Sequence, residues 1–213
     1  MSPHETPARV RFVEIVWVLA ILLTGNLLGA ALVFLWVSLT RTPFASLGFV
    51  RPRSIARTIA FGIVGGVALK LLLKAAIMPA LGFEAVNPAY RHVTGNPSAL
   101  WRAMLLVVVG GGFGEETIWR GFLFDRLRWF SGGRLGPAPI VLVTAAAFAA
   151  AHYADQGLPG VVQAVMTGLT LGAIYVRSGH IWAPMIVHAT YDITALLIIY
   201  WDLESTVAHL LLR

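Results

Sequence analysis

SALWRAMLLVVVGGGFGEETIW, residues 98–119, is apolar for long enough to cross a bilayer and yet carries two adjacent carboxylates, Glu115 and Glu116. A transmembrane helix needs ~20 predominantly apolar residues, and a charge at its centre costs roughly 2.5–3.5 kcal/mol on insertion scales. Ionisable residues in such places are rare and generally serve a site. The anomaly recurs downstream, with His152 near the end of VLVTAAAFAAAHY and with His188 and Asp192 inside the apolar run 180–201.

The rest of the chain agrees with a membrane reading. Of its 213 residues 58% are hydrophobic and 12% charged, against about a quarter charged in an ordinary soluble domain. A soluble fold cannot cover that much apolar surface. Spans are read at 14–37, 58–80, 98–119, a shorter one at 138–153, then 158–176 and 180–201. The expected fold class is therefore all-α, a polytopic transmembrane helix bundle of about six spans, with a catalytic cavity within the bundle. The first span is too long for a signal-peptide core and no A-x-A-type cleavage site follows it, so it is read as retained. The absence of cysteine excludes disulfides, thiol nucleophiles and thiolate metal sites.

A net charge of +6 raises nucleic acid as a partner, but the basic residues flank spans and form no patch, so none is expected. Arg41, Arg51, Arg53 and Arg57 follow the first span, Arg126, Arg128 and Arg134 the third, and Arg177 the fifth. The positive-inside rule places these loops in the cytoplasm and both termini outside. Arg9 and Arg11 run against an external N-terminus. The segment 41–54, RTPFASLGFVRPRS, reads as an interfacial loop or short amphipathic helix, 81–97 as an irregular external loop, and the tail STVAHLLLR as lying on the membrane surface. Lys70 and Lys74, one turn apart, snorkel or mark an early helix end and receive no function.

Three clusters carry the chemistry. Glu116 and Arg120 stand one helical turn apart and can pair, whereas Glu115, about 100° round the helix, has no such partner and is free to take a proton as a general base. His152 follows a run of alanines that leaves room for a neighbour or substrate, and its imidazole can serve a water, a metal or a proton. His188 and Asp192 share one helical face, as a donor and its orienting carboxylate would. Each has a plainer reading as well: a polar network at the membrane edge, an interfacial histidine, and a packing His–Asp hydrogen bond.

Together these residues resemble the CPBP family, the CAAX-protease and bacteriocin-processing (Abi) membrane endopeptidases. Its pattern of Glu-Glu-x-x-x-Arg, Phe-x-x-x-His and His-x-x-x-Asn reads here as EETIWR at 115–120, FAAAH at 148–152 and HATYD at 188–192. Asp192 stands where the best-studied branch has Asn, and an ionised aspartate cannot donate a hydrogen bond to an oxyanion. It must be protonated or act through His188.

The resemblance implies hydrolysis of a peptide bond within the bilayer by a glutamate-activated water. By carry-over Glu115 is the base, His152 orients the water, His188 with Asp192 stabilises the oxyanion, and Glu116 and Arg120 shape the site. Family members are often labelled metalloproteases, so zinc on Glu115, His152 and His188 stands beside a metal-free glutamate mechanism, although no His-Glu-x-x-His signature is present. The chain then divides into N-terminal transmembrane helices and loops (1–97), a CPBP-like catalytic core (98–201) and a tail (202–213). Its partners are the lipid bilayer and a membrane-associated substrate, prenylated CAAX-type or a leader peptide, and its place is the plasma membrane of a prokaryote as a multi-pass protein.

Two conditions attach to this reading. Glu115 and His152 reach one water only if the third helix continues through Gly121 to Phe124, which brings Glu115 toward mid-membrane. From another class, a transporter or partner-binding scaffold would use the same polar cluster without catalysis. Other intramembrane proteases fit less well, since no Gly-x-Gly-Asp accompanies Tyr191-Asp192 and no Gly-x-Ser-x lies within a span.

Overall fold

The structure, a computed structural model, describes residues 8–211; residues 1–7 and 212–213, the extremities of the N-terminal and tail segments, lie outside the described residues. The described residues are helical and contain no strand. The helices are α1 (Ala8–Thr24), α2 (Asn26–Thr40), α3 (Ile55–Ala80), α4 (Pro97–Phe130), α5 (Pro137–Ala151), α6 (Tyr153–Ser178), α7 (Trp182–Tyr200) and the short α8 (Glu204–Ala208). Four of them, α3, α4, α6 and α7, are long and apolar enough to cross a membrane, and α2 and α5 are shorter apolar helices. This is the polytopic bundle expected from the apolar runs.

The first expected span is not one helix. The run 14–37 breaks at Gly25 (φ 57°) and Asn26 (φ 38°), and the left-handed backbone that glycine tolerates turns the chain back on itself. The indole Nε1 of Trp36 donates to Glu14 Oε2 at 3.2 Å, across 22 residues of sequence, which two helices of 17 and 15 residues allow only as an antiparallel hairpin. Arg126 near the end of α4 also reaches Glu14, at 3.2 Å, and lies 4.3 Å over the Trp36 ring. At the other end, a Cβ on Gly114 would come within 3.1 Å of the Asn26 carbonyl oxygen. The hairpin therefore lies along the second half of α4, with its turn at Gly114 and its open end at Arg126.

The hairpin also corrects the expected external N-terminus. Because α1 and α2 enter and leave on one side, Arg9 and Arg11 lie on the side of Arg126, Arg128 and Arg134. The charge that ran against the positive-inside assignment now agrees with it.

The third span is longer than read, 34 residues, or about 51 Å at the helical rise, and Glu115 falls near its middle. Continuation through Gly121 to Phe124 is thus observed. Two π-helical stretches, Val107–Glu115 and Thr117–Phe122, flank Glu116; such widened turns are frequent at functional sites.

Small residues bring the remaining helices together. A Cβ on Gly168 of α6 would come within 3.0 Å of Ala145 Cβ on α5, and one on Gly112 of α4 within 2.8 Å of Ala189 Cβ on α7. One on Gly66 of α3 would come within 2.5 Å of the Val187 carbonyl oxygen. His152 sits at the junction of α5 and α6, just ahead of a kink at Gly157 (φ 60°) and Pro159. The tail does not simply rest on the membrane. Glu204 of α8 is buried against Lys74 Nζ at 2.7 Å and accepts from the Asn87 N–H at 3.2 Å, while Leu210 and Leu211 are exposed.

Candidate active site

A cavity of about 990 Å³ runs from the loop 82–92 in between α3, α4, α6 and α7, and Glu115, His152, His188 and Asp192 all stand on its wall. Glu116 and Arg120 do not. They lie behind the wall, at 0% and 1% exposure. Adjacent residues of a helix point about 100° apart, and on α4 this sends one glutamate toward the cavity and the other into the packed interior.

Behind the wall, Arg120 Nη1 donates to Glu116 Oε1 at 2.6 Å and Nη2 to the Gly168 carbonyl at 3.1 Å. The expected pair within one helix is present, and it also ties α4 to α6. His188 Nδ1 lies 2.7 Å from the same Glu116 oxygen. A carboxylate only accepts here, so Nδ1–H donates and Nε2 is the nitrogen turned toward Asp192, whose Oδ2 lies 3.5 Å away. The stronger partner of His188 is Glu116 on another helix, and its helical neighbour Asp192 is the looser one.

Phe148 gives the Phe-x-x-x-His pattern a physical meaning. Its ring lies 4.4 Å from that of His152 and 6.0 Å from that of His188, with Arg120 stacked on it at 4.9 Å. The Phe148 carbonyl accepts from His152 Nδ1 at 2.8 Å, which leaves Nε2 of His152 for the cavity. Glu115 makes no hydrogen bond among the described residues. Its carboxylate is the free one.

The cavity also holds groups that the sequence did not assign. Lys70 Nζ donates to Gln163 Oε1 at 3.1 Å and approaches Tyr191 Oη at 3.5 Å, and Tyr191 donates to the same Gln163 oxygen at 3.0 Å. Lys70 and Lys74 both face the cavity and do not snorkel to a surface. The signal was present as polar residues in otherwise apolar spans, but their partners lie on different helices. In the loop outside the spans, Tyr90 lines the cavity; burial, then the carboxylates of Asp192, Asp155 and Glu115, push its hydroxyl above the ordinary phenol value.

The donor set does not fit a zinc ion in this arrangement. Among the described residues no three His, Asp or Glu side chains are gathered as a metal-holding group, and both ring nitrogens of His188 face carboxylates.

Residues 97–194 match the family model described as Type II CAAX prenyl endopeptidase Rce1-like. This segment belongs to that family. The Rce1-like segment runs from the first residue of α4 into α7, and it contains Glu115, Glu116, Arg120, His152, His188 and Asp192. At family level the match supports a CAAX-type intramembrane endopeptidase, a hydrolase. No curated protein and no solved structure matches the chain.

Proposed function

We propose that this protein hydrolyses a peptide bond of a membrane-associated substrate, of the prenylated CAAX type, using a water activated by Glu115. The observation that carries this reading is the division of the two glutamates. Among the described residues Glu115 has no hydrogen-bond partner and lies on the cavity wall, and Glu116 is spent on Arg120 and His188.

In the proposed reaction Glu115 removes a proton from water as its oxygen bonds to the carbonyl carbon, and Nε2 of His152 accepts the water's other hydrogen as a hydrogen bond. The carbonyl oxygen gains negative charge. His188, with Nδ1–H held by Glu116 and a proton on Nε2, donates to that oxygen, which is the arrangement that favours the transition state over the ground state. Asp192 acts through His188, whose ring it helps to orient; it need not donate itself, which accommodates aspartate where related sequences carry asparagine. As the C–N bond breaks, Glu115 returns its proton to the leaving amine. Glu116 and Arg120 are positioning residues.

The test is purified protein in vesicles with a farnesylated peptide ending in Cys-aliphatic-aliphatic-X. Mass spectrometry should find the released tripeptide. An intact peptide with folded wild-type protein would remove this substrate class from the proposal.

A further inference from the structure

On the basic side of the membrane, and lined by different residues from the cavity, the first turns of α3 and α7 and the loop before α3 enclose an open groove of about 500 Å³, a size common for ligand sites. Phe49, Ile55, Ile59, Trp182 and Ile186 make its apolar walls, and among the described residues Arg51 is its one charged lining residue. The groove ends where α3 and α7 close on each other, since a Cβ on Gly62 would come within 2.3 Å of Ile186 Cγ2.

Its frame is fixed by specific contacts. Trp182 Nε1 donates to the Val50 carbonyl at 3.1 Å, the Ile181 N–H donates to the Gly48 carbonyl at 2.9 Å, and the Phe49 and Trp182 rings meet edge to face at 5.6 Å. Ile55 and Ile59 are 53% and 44% exposed, so the groove is open toward the surrounding bilayer. Arg51, Arg53 and Arg57 are exposed, and among the described residues none of them is in an ion pair.

A groove that is apolar along its length and cationic at its interfacial end has the charge pattern of an amphiphile with an anionic head. Basic residues beside a transmembrane helix attract anionic lipids, and guanidinium groups bind phosphate by charge-assisted hydrogen bonds. We propose that the groove holds one acyl chain of an anionic phospholipid of the cytoplasmic leaflet, with the phosphate on Arg51 and Arg53. The lipid bridges α3 to α7, the helix that carries His188 and Asp192. Binding to the folded state alone then stabilises that packing by mass action.

Native mass spectrometry of the full chain, released from micelles containing equimolar phosphatidylglycerol and phosphatidylcholine of the same chain composition, tests this. The wild type should retain phosphatidylglycerol preferentially. Arg51→Gln/Arg53→Gln should lower that preference roughly tenfold to thirtyfold, whereas Arg128→Gln/Arg134→Gln, which removes the same charge from exposed positions on the same side, should preserve it. Ile59→Trp, which fills the groove without altering charge, should also lose the lipid. All these side chains are exposed, and thermal unfolding confirms that the variants fold. Equal retention of the two lipids by the wild type overturns the proposal. So does equal loss in both arginine pairs, or undiminished retention by Arg51→Gln/Arg53→Gln or by Ile59→Trp.

Discussion

Glu116 Oε1 lies 2.7 Å from His188 Nδ1, and it is the same oxygen that receives Arg120 at 2.6 Å. One buried carboxylate oxygen thereby joins α4 to α7 and orients the histidine facing the cavity. Removing one partner of a buried charge pair leaves the other uncompensated, so Glu116→Ala should lower stability by about 3–5 kcal/mol. Thermal unfolding in micelles measures this. Glu116→Ala/Arg120→Met should recover part of the loss, because no unpaired charge stays buried.

The three consecutive glycines of α4 should respond differently to alanine. A Cβ on Gly110 meets nothing within 4 Å, one on Gly111 comes within 3.0 Å of Asp192 Oδ2, and one on Gly112 within 2.8 Å of Ala189 Cβ. Gly110→Ala should leave unfolding unchanged, Gly112→Ala should cost about 1–3 kcal/mol through overpacking, and Gly111→Ala should displace Asp192 and lower kcat more than stability. Thermal melts paired with cleavage rates separate the three.

The helical hairpin is open to a labelling test, because the chain has no cysteine of its own. Single-cysteine variants at Arg11, Arg134 and Ser98, all exposed, should react with a membrane-impermeant maleimide so that positions 11 and 134 label from one side and 98 from the other. Labelling of 11 together with 98 would mean that the N-terminal segment crosses the membrane.

Much of this arrangement was legible where chemistry stays within one helix. Glu116–Arg120 and the mid-helix place of Glu115 follow from spacing and from the need for a longer third helix. The apolar runs gave α3 and α7 nearly at their observed ends. What spacing cannot report is contact between helices. His188 chose Glu116 over Asp192, and Lys70 found Gln163 and Tyr191, because the bundle brought distant segments together. The hairpin was missed for another reason. Gly25-Asn26 marks a turn, but the apolar side chains on both sides of it make the whole run look like one span.

Metal removal bears on the chemistry directly. With Nδ1 of His188 on Glu116 and Nε2 toward Asp192, cleavage should persist after chelation with 1,10-phenanthroline and dialysis, in protein whose zinc content has fallen well below one equivalent. Activity lost with one equivalent of zinc, and restored by its return, would assign the cluster a metal.

The central claim is that Glu115 is the base, and the measurement that addresses it most directly compares membrane-protein termini and released peptides in cells expressing wild type or Glu115→Gln at matched levels of folded protein. Cleavage products should accompany the wild type and fall by about 10²–10⁴ in rate for the variant, the usual worth of a general base. Identical peptide profiles, with membrane peptides covered, would contradict the account and turn the same polar cavity toward binding or transport.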